Sequence, residues 1–203
     1  MSKKKIQHLS SKQGYDLYAK FYDKKNKYLD SFEQYNIFPN LPNLMGKKVL
    51  DVGAGSGRLT TQMVNKGAEV TAFDVSPEIL KVLAKKNSKI KTVIGDAEKM
   101  PFLENSFDVV VATFLIVHLK DLNQFFAEAH RVLKPSGIFL LTNINQKKAP
   151  ELKTDKGLII IESYYHRPEE VVEKLEENLF EVNKNIFIKE KDVWINQVVV
   201  GSK

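Results

Sequence analysis

A glycine-rich loop directly after a buried strand constrains the fold of this chain more than any other feature of its sequence. The stretch VLDVGAGSGRL, residues 49–59, runs from an apolar segment through Asp51 into glycines at 53, 55 and 57. Glycine lets a chain turn tightly and lets a ligand approach the backbone, and a helix N-terminus follows the loop. This order predicts a site for a nucleotide-like ligand at the carboxyl end of the first strand of an open α/β sheet.

Apolar strand patterns and helical patterns alternate from this loop onward, which predicts a mostly parallel sheet with helices on both faces. A tail follows in which a helix, from 167 to about 178, precedes two extended segments, 180–189 and 193–200. Since few residues separate these two segments, they must form a hairpin, and the sheet ends with an antiparallel strand. The expected elements of the middle of the chain are strands at 48–52, 69–73, 90–94, 107–113 and 138–142, and helices at 56–66, 76–87 and 122–133.

Composition excludes several classes of protein and leaves one question about charge open. The absence of cysteine among 203 residues excludes disulfides, thiolate nucleophiles and iron–sulfur clusters. No apolar run is long enough to span a bilayer, and no secretory signal is visible, so the cytoplasm is the expected location. The net charge of +6 fits either an anionic partner such as RNA or a lysine-rich composition without such a partner. Because only three basic residues are arginines, composition is the preferred explanation.

Two acids at the ends of the next strands narrow the choice of ligand. The loop spacing is G-x-G-x-G, with Arg58 where a dinucleotide fingerprint has its third glycine, and the G-K-[ST] of a phosphate-binding P-loop is absent. Asp74 ends the second strand, where a carboxylate can accept both hydroxyls of a ribose. Asp96 ends the third strand, where it can accept from the amine of adenine while the Ala97 N–H meets a ring nitrogen. These acids suit a nucleoside ligand without phosphates.

Five segments, in this order, resemble the successive motifs of class I S-adenosylmethionine-dependent methyltransferases. They are VLDVGAGSGRL, VTAFDVSPEIL, VIGDAEKMPF, FDVVVATFLIVHL and EAHRVLKPSGIFLLTN, and they resemble most the small-molecule branch that includes ubiquinone/menaquinone biosynthesis methyltransferases. The resemblance implies a Rossmann-like seven-stranded sheet whose last strand is antiparallel, and S-adenosylmethionine as the cofactor. Ser136 and Leu179 stand where the family usually has glycine. The implied cofactor-binding residues are Tyr22, Asp51, Gly53, Ala54, Gly55, Gly57, Asp74, Val75, Asp96, Ala97 and Thr113.

The resemblance also gives each of these regions a role. The glycines would cradle the methionine part with Asp51 near its amino group, and Thr113 and Phe114 would face the sulfonium. Tyr22 would close over the cofactor. We therefore expect a single domain over residues 1–203. Its parts are a mobile tail at 1–12, an N-terminal helical lid at 13–44, a cofactor-binding core at 45–145, and a C-terminal helix and hairpin at 146–203.

Two histidines are candidates for a general base, if the reaction needs one at all. His118 follows the strand end that faces the cleft, and His166 lies in the connection that usually roofs the pocket. The alternative for both is a structural role. The spacing of the four histidines gives no metal site.

The methyl acceptor is expected to be a small molecule. The Asn/Asp-Pro-Pro-aromatic motif of exocyclic-amine nucleic-acid methyltransferases is missing after the fourth strand, and carbon-5 pyrimidine chemistry needs a cysteine. An RNA or protein acceptor remains an alternative, as does a non-catalytic subunit that keeps the fold as scaffold or activator. A nicotinamide-dependent oxidoreductase is disfavoured by Arg58 and by the lack of a further substrate domain. The oligomeric state stays open.

Overall fold

The computed structural model describes residues 6–33 and 35–203, and in this part of the chain strands and helices alternate as the sequence predicts. Residues 1–5 of the expected tail lie outside the described residues. The strands are β1 (Gln7–Leu9), β2 (Lys48–Val52), β3 (Glu69–Asp74), β4 (Lys91–Ile94), β5 (Phe107–Ala112), β6 (Leu133–Ile144), β7 (Glu151–Thr154), β8 (Gly157–Ile161), β9 (Glu181–Glu190) and β10 (Val193–Ser202). The α-helices are α1 (Ser11–Tyr18), α2 (Asn26–Glu33), α3 (Arg58–Asn65), α4 (Pro77–Lys86), α5 (Asn123–Val132) and α6 (Pro168–Glu177).

Within the described residues the central sheet has seven strands in the order β4-β3-β2-β5-β6-β10-β9. β10 runs antiparallel to both of its neighbours, and the other pairs are parallel. The order reverses between β2 and β5, where the loops after these strands diverge and leave a crevice at the carboxyl edge. The expected fold class, a mostly parallel seven-stranded sheet with an antiparallel C-terminal hairpin strand, is therefore confirmed.

Alternate side chains of the central strands pack into two cores, one on each face of the sheet. Val110 and Ala112 of β5 face the core that holds Phe125 and Phe126 of α5. Val109 and Val111 face the opposite core, which includes Met63 of α3. Strands buried on both faces read as continuous apolar runs, which is why FDVVVAT predicted a central strand.

Residues 7–12, which the sequence placed in a mobile tail, instead contribute β1 and the start of α1. β1 pairs in parallel with β8, and β7 and β8 form an antiparallel hairpin, so that a three-stranded sheet lies beside the central one. α1 packs on this small sheet through Gly14, where an added Cβ would lie 2.4 Å from Cγ1 of Ile161. β1 was missed because a three-residue edge strand carries almost no periodic signal, and its partner lies about 150 residues along the chain.

The lid and two turns also differ in detail from the sequence prediction. The expected helical stretch after Tyr15 is split into α1, a 3-10 segment over 19–25 and α2. Residues 134–137, which lie between the expected helix at 122–133 and the expected strand at 138–142, belong to β6, with Ser136 in the left-handed region at φ 61°. Leu179 has φ 66° where α6 ends. Glycine is favoured at positive φ, which explains why the family usually has glycine at these two positions.

None of the helices in the described ranges is long and apolar enough to cross a membrane.

Candidate active site

The glycine loop and the acid at the end of β3 form one hydrogen-bonded unit. Gly53 and Gly55 have φ of 73° and 55°, a conformation that costs little only for glycine. The Gly55 N–H donates to Oδ2 of Asp74 at 2.9 Å, and the Ser76 N–H donates to Oδ1 at 2.9 Å. The Val75 N–H adds a third backbone hydrogen bond to this carboxylate, which has about four acceptor sites in all and can therefore still accept from a ligand. Burial raises the pKa of Asp74, while the backbone N–H groups oppose that shift.

A cavity of about 280 Å³ opens between this loop and the ends of β3, β4 and β5, and we call it the glycine-loop cavity. Asp96 is exposed at its edge, with its Oδ1 accepting from the Glu98 N–H at 2.9 Å. The cavity therefore combines carboxylate and backbone hydrogen-bonding groups with an apolar surface, the combination that a nucleoside needs. The candidate residues that line it are Tyr22, Gly53, Gly55, Asp74, Val75, Asp96, Ala97, Thr113 and His118.

A smaller space of about 20 Å³, the Asp51 recess, adjoins the glycine loop and is lined by Asp51, Gly53, Ala54, Arg58 and Thr113 among others. Asp51 is buried and accepts a hydrogen bond of 2.5 Å from Oγ1 of Thr60. Burial raises the pKa of Asp51 to about 6, and the Thr60 hydrogen bond and the Arg58 charge oppose the shift. A buried carboxylate of this kind is stabilised by a cationic ligand group placed beside it.

Arg58 ties the lid to the recess. Its guanidinium forms two hydrogen bonds of 2.7 Å to Glu33 of α2 and one of 2.7 Å to Asp30. It also lies over the ring of Phe114, with 5.7 Å between the guanidinium carbon and the ring centroid. The sequence singled out Arg58 only as the residue in place of a third glycine, because nothing in the local pattern shows which residues a long side chain will reach.

The structure does not bring Gly57 to any of these cavity walls. It has φ 85° and precedes α3, and a Cβ there would lie 2.2 Å from Cδ1 of Leu83. Close packing on α4 and the turn into the helix therefore account for this glycine. The expectation of a cofactor contact at Gly57 is not supported by its position.

His166, expected as one of two candidate bases, is buried away from the cavities. Its Nε2 lies 3.0 Å from the carbonyl oxygen of Ile116 and 2.8 Å from that of Leu119, so Nε2 carries the hydrogen and donates. A nitrogen that donates to two carbonyls has no lone pair to offer a substrate. His166 therefore has a structural role, the alternative to a general base: it connects the segment before α6 to the turn after β5.

His118 lies at the cavity, and its ring is fixed by two partners. Nδ1 is 2.8 Å from the Glu162 carbonyl oxygen, which can only accept, so the hydrogen sits on Nδ1. Nε2 therefore has a lone pair, and it accepts from the hydroxyl of Tyr15 at 2.6 Å. Burial lowers the pKa of His118, which favours the neutral ring.

A second cavity, of about 530 Å³, lies under the lid on the other side of these residues, and we call it the lid cavity. Tyr18, Leu29, Phe32 and other apolar side chains form most of its wall, which also includes Lys24, Lys147 and Lys148. The residues common to both cavities are Tyr15, Tyr22, Phe114 and His118.

Several wall residues were not expected from the sequence. Ser10, Ser11 and Lys12, placed in the supposed tail, line the glycine-loop cavity. Phe114 lines both cavities and has φ 56°, an uncommon conformation for a bulky residue. A hydrogen bond of 2.9 Å from its N–H to Oγ1 of Thr142 holds this backbone in place. Only the fold brings residues 10–12 close to the end of β5.

Comparison with known proteins agrees with this geometry. Residues 50–141 match the family described as a methyltransferase domain. Demethylmenaquinone methyltransferase of Chlorobaculum tepidum is 48% identical over 91 residues, which cover 44% of this chain and 38% of that protein. Ubiquinone/menaquinone biosynthesis C-methyltransferase UbiE of Rickettsia typhi is 34% identical over 125 residues, 56% of this chain and 50% of that protein. The chain thus spans half or less of the length of these relatives.

Among solved structures, an S-adenosylmethionine-dependent methyltransferase from Mesorhizobium loti superposes with a TM-score of 0.73 at 16% identity. The match covers 86% of this chain and 100% of that one. The chain is thus similar in sequence to a methyltransferase domain over residues 50–141, from the middle of β2 into β6, and it shares its fold with the Mesorhizobium loti protein.

Proposed function

We propose that the protein transfers a methyl group from S-adenosylmethionine to a small molecule held in the lid cavity. The observation that carries this proposal is the shared wall: a ligand in the glycine-loop cavity and one in the lid cavity would meet at Tyr15, Tyr22, Phe114 and His118. Two-substrate transfer without a covalent enzyme intermediate needs such adjacent sites, since the acceptor must approach the reacting carbon directly.

The donor set fits S-adenosylmethionine. Asp51 would face the amino group of the methionine part, Asp74 the ribose hydroxyls, and Asp96 with the Ala97 N–H the adenine. A side chain at Gly55 would come within 3.2 Å of the Tyr22 ring, so the covering ring requires glycine there. The bound cofactor supplies a methyl carbon already activated by a positively charged sulfur.

The protein's own contribution is alignment and exclusion of water. Holding two reactants in line is worth about 7–11 kcal/mol of the barrier. Tyr15 and Tyr22 belong to the N-terminal lid, and their rings cover the loop, so ordering the lid closes the junction to solvent. A ring face beside a sulfonium also attracts it.

The character of the lid cavity supports a small, largely apolar acceptor. Aromatic and aliphatic side chains dominate its wall, with three lysines among the lining residues. The relatives named for demethylmenaquinone and for ubiquinone/menaquinone biosynthesis support an aromatic ring of the hydroquinone type as the first class to test.

The test begins with calorimetric titration of the purified protein with S-adenosylmethionine and, separately, with NAD. Binding of S-adenosylmethionine and no binding of NAD is expected. Methyl-labelled cofactor is then supplied with 1,4-naphthohydroquinone, and label should move to the organic product. Absence of cofactor binding would overturn the proposal and favour the scaffold alternative, whereas binding of NAD alone would favour an oxidoreductase.

A further inference from the structure

We propose that Tyr15 and His118 form a proton relay for the acceptor, with the Tyr15 hydroxyl taking the acceptor's proton while passing its own to Nε2 of His118. The acceptor class that follows is a molecule with an ionisable hydroxyl, a phenol or an enol. This inference rests on the proposed function, because it assigns the proton chemistry of the same junction.

The hydrogen-bond partners of Tyr15 and His118 allow only one placement of the protons on the pair. The Glu162 carbonyl takes the hydrogen of His118 Nδ1 at 2.8 Å, and Nε2 is left as an acceptor 2.6 Å from the Tyr15 oxygen. Tyr15 therefore donates to His118, and its oxygen keeps a lone pair that can accept from a ligand. Tyr15 and His118 both line the two cavities, so the hydrogen-bonded pair lies where a ligand in the lid cavity would meet one in the glycine-loop cavity.

Tyr15 itself is kept protonated, as a relay requires. Burial raises its pKa well above the usual value, and the nearby Tyr22 and Asp74 add to the shift. The other titratable side chains that line the two cavities are Tyr18, Asp96, Glu98 and Glu162, and the lysines at 12, 24, 147 and 148. The charges that act on Tyr15, those of Tyr22, Asp74 and Tyr18, all disfavour its phenolate, so a proton that leaves Tyr15 is replaced at once.

When the acceptor carries a hydroxyl group, the relay moves two protons. The acceptor O–H bond breaks and a new O–H bond forms on Tyr15, while the original Tyr15 proton bonds to His118 Nε2. The acceptor oxygen is left with an electron pair for the methyl carbon, whose bond to sulfur breaks. The positive charge lost by the sulfonium is then carried by the His118 imidazolium, which releases its proton to water.

The direct test is spectroscopic and uses 4-nitrophenol, whose ionised form absorbs visible light while the neutral form does not. The protein is first loaded with S-adenosylhomocysteine, and phenol binding and ionisation are followed as the pH is lowered. In the wild type the phenolate signal should persist about one pH unit lower than in Tyr15→Phe, because the departing proton is retained on His118. The variant keeps the ring contacts with Tyr22 and His118 and removes only the hydroxyl.

Two further variants separate chemistry from packing. His118→Asn should lose the same low-pH phenolate signal, while Tyr165→Phe, whose ring lines neither cavity, should retain it. If Tyr15→Phe does not fold, His118→Asn decides the question alone. Equal phenol ionisation in the wild type and the folded variants would overturn the relay, as would failure of the loaded wild type to bind the phenol. Failure to bind S-adenosylhomocysteine would instead count against the proposed function.

A kinetic series gives a second readout. Methyl transfer is measured for phenols of increasing acidity in the wild type and in Tyr15→Phe. A relay predicts that the rate deficit of the variant is at least tenfold for weakly acidic phenols and shrinks toward none for phenols already ionised at the assay pH. A constant deficit across the series would show that Tyr15 acts only by packing.

Discussion

The guanidinium of Arg58, at the start of α3, forms two hydrogen bonds of 2.7 Å with the carboxylate of Glu33, at the end of α2. Only 9% of the Arg58 side chain and 5% of the Glu33 side chain are exposed. This buried pair joins the lid to the helix that begins after the glycine loop. Since the Arg58 guanidinium also lies over the ring of Phe114, which lines both cavities, the pair fixes the lid relative to the junction of the two cavities.

Replacing Glu33 by Gln should destabilise the protein by about 2–3 kcal/mol. The Arg58 guanidinium then stays buried, and of its two carboxylate partners in the described residues only the more exposed Asp30 remains. The measurement is urea unfolding at neutral pH. Glu78→Gln is the matched control, since its pair with Lys81 is exposed and should change stability by less than about 0.5 kcal/mol. Similar effects of the two substitutions would show that the buried pair contributes no more to the free energy of unfolding than the exposed pair does.

Asp74→Ala should weaken S-adenosylmethionine binding by about 2 kcal/mol, or roughly 30-fold, because the ribose would lose a charged acceptor. It also leaves the N–H groups of Gly55 and Ser76 without this partner, so its unfolding must be followed in parallel. Calorimetry on the folded variant gives the affinity, with Asp192→Ala in the β9–β10 turn as the control. An unchanged dissociation constant would remove Asp74 from the cofactor site.

Cofactor affinity should fall as the pH drops below about 6. The free protein holds a proton on Asp51 below its raised pKa of about 6, and an ammonium beside it binds only the ionised carboxylate. Binding must then release that proton, which costs up to about tenfold in affinity per pH unit. The raised pKa of Asp74 acts in the same direction.

Calorimetry between pH 5 and pH 8 in buffers of different ionisation enthalpy would reveal both the affinity loss and the released proton. Asp51→Asn should bind more weakly at pH 8 and show a shallower dependence on pH. A wild-type affinity that does not change across this range would contradict the role of Asp51.

Gly57→Ala should be strongly destabilising although Gly57 lines no cavity. The alanine would have both an unfavourable φ of 85° and a Cβ 2.2 Å from Leu83. Gly46→Ala provides the control, because its φ of 68° is comparable and nothing lies within 4 Å of the added Cβ. The control should cost about 1–2 kcal/mol from strain alone, and Gly57→Ala clearly more. Equal losses would mean that Leu83 moves aside without cost.

Leu179→Gly should raise stability by about 1 kcal/mol, an unusual result for the loss of a leucine. Leu179 is 75% exposed and holds φ 66° at the end of α6, while the Phe180 N–H donates to the Leu175 carbonyl at 3.1 Å. Glycine relieves the left-handed strain and loses little packing. Leu103→Gly, also at an exposed leucine but not at a positive φ, should lower stability slightly. Thermal unfolding of both variants decides between these outcomes.

The strand-end residues of the site could be predicted from sequence because their spacing follows from local rules. Asp51, Gly53, Asp74 and Asp96 lie in or directly after parallel strands, and parallel strands end at one edge of a sheet. The fold class followed from the same alternation of strands and helices. These features depend on residues close together in the chain, so a single sequence is enough to indicate them.

Only the tertiary structure decided which histidine faces the cavities and which residues accompany it. His118 and His166 lie in turns of similar appearance, yet one meets Tyr15 and the other is buried against two carbonyl groups. Tyr15 is 103 residues from His118, and Glu33 is 25 residues from Arg58. Contacts at such separations depend on how the lid and the small sheet pack on the core, and long-range packing has no periodic signature in the sequence. The pattern of the sequence thus determined the fold and which residues lie at the carboxyl edge of the sheet, while the packing of distant segments determined which residues lie at the junction of the two cavities.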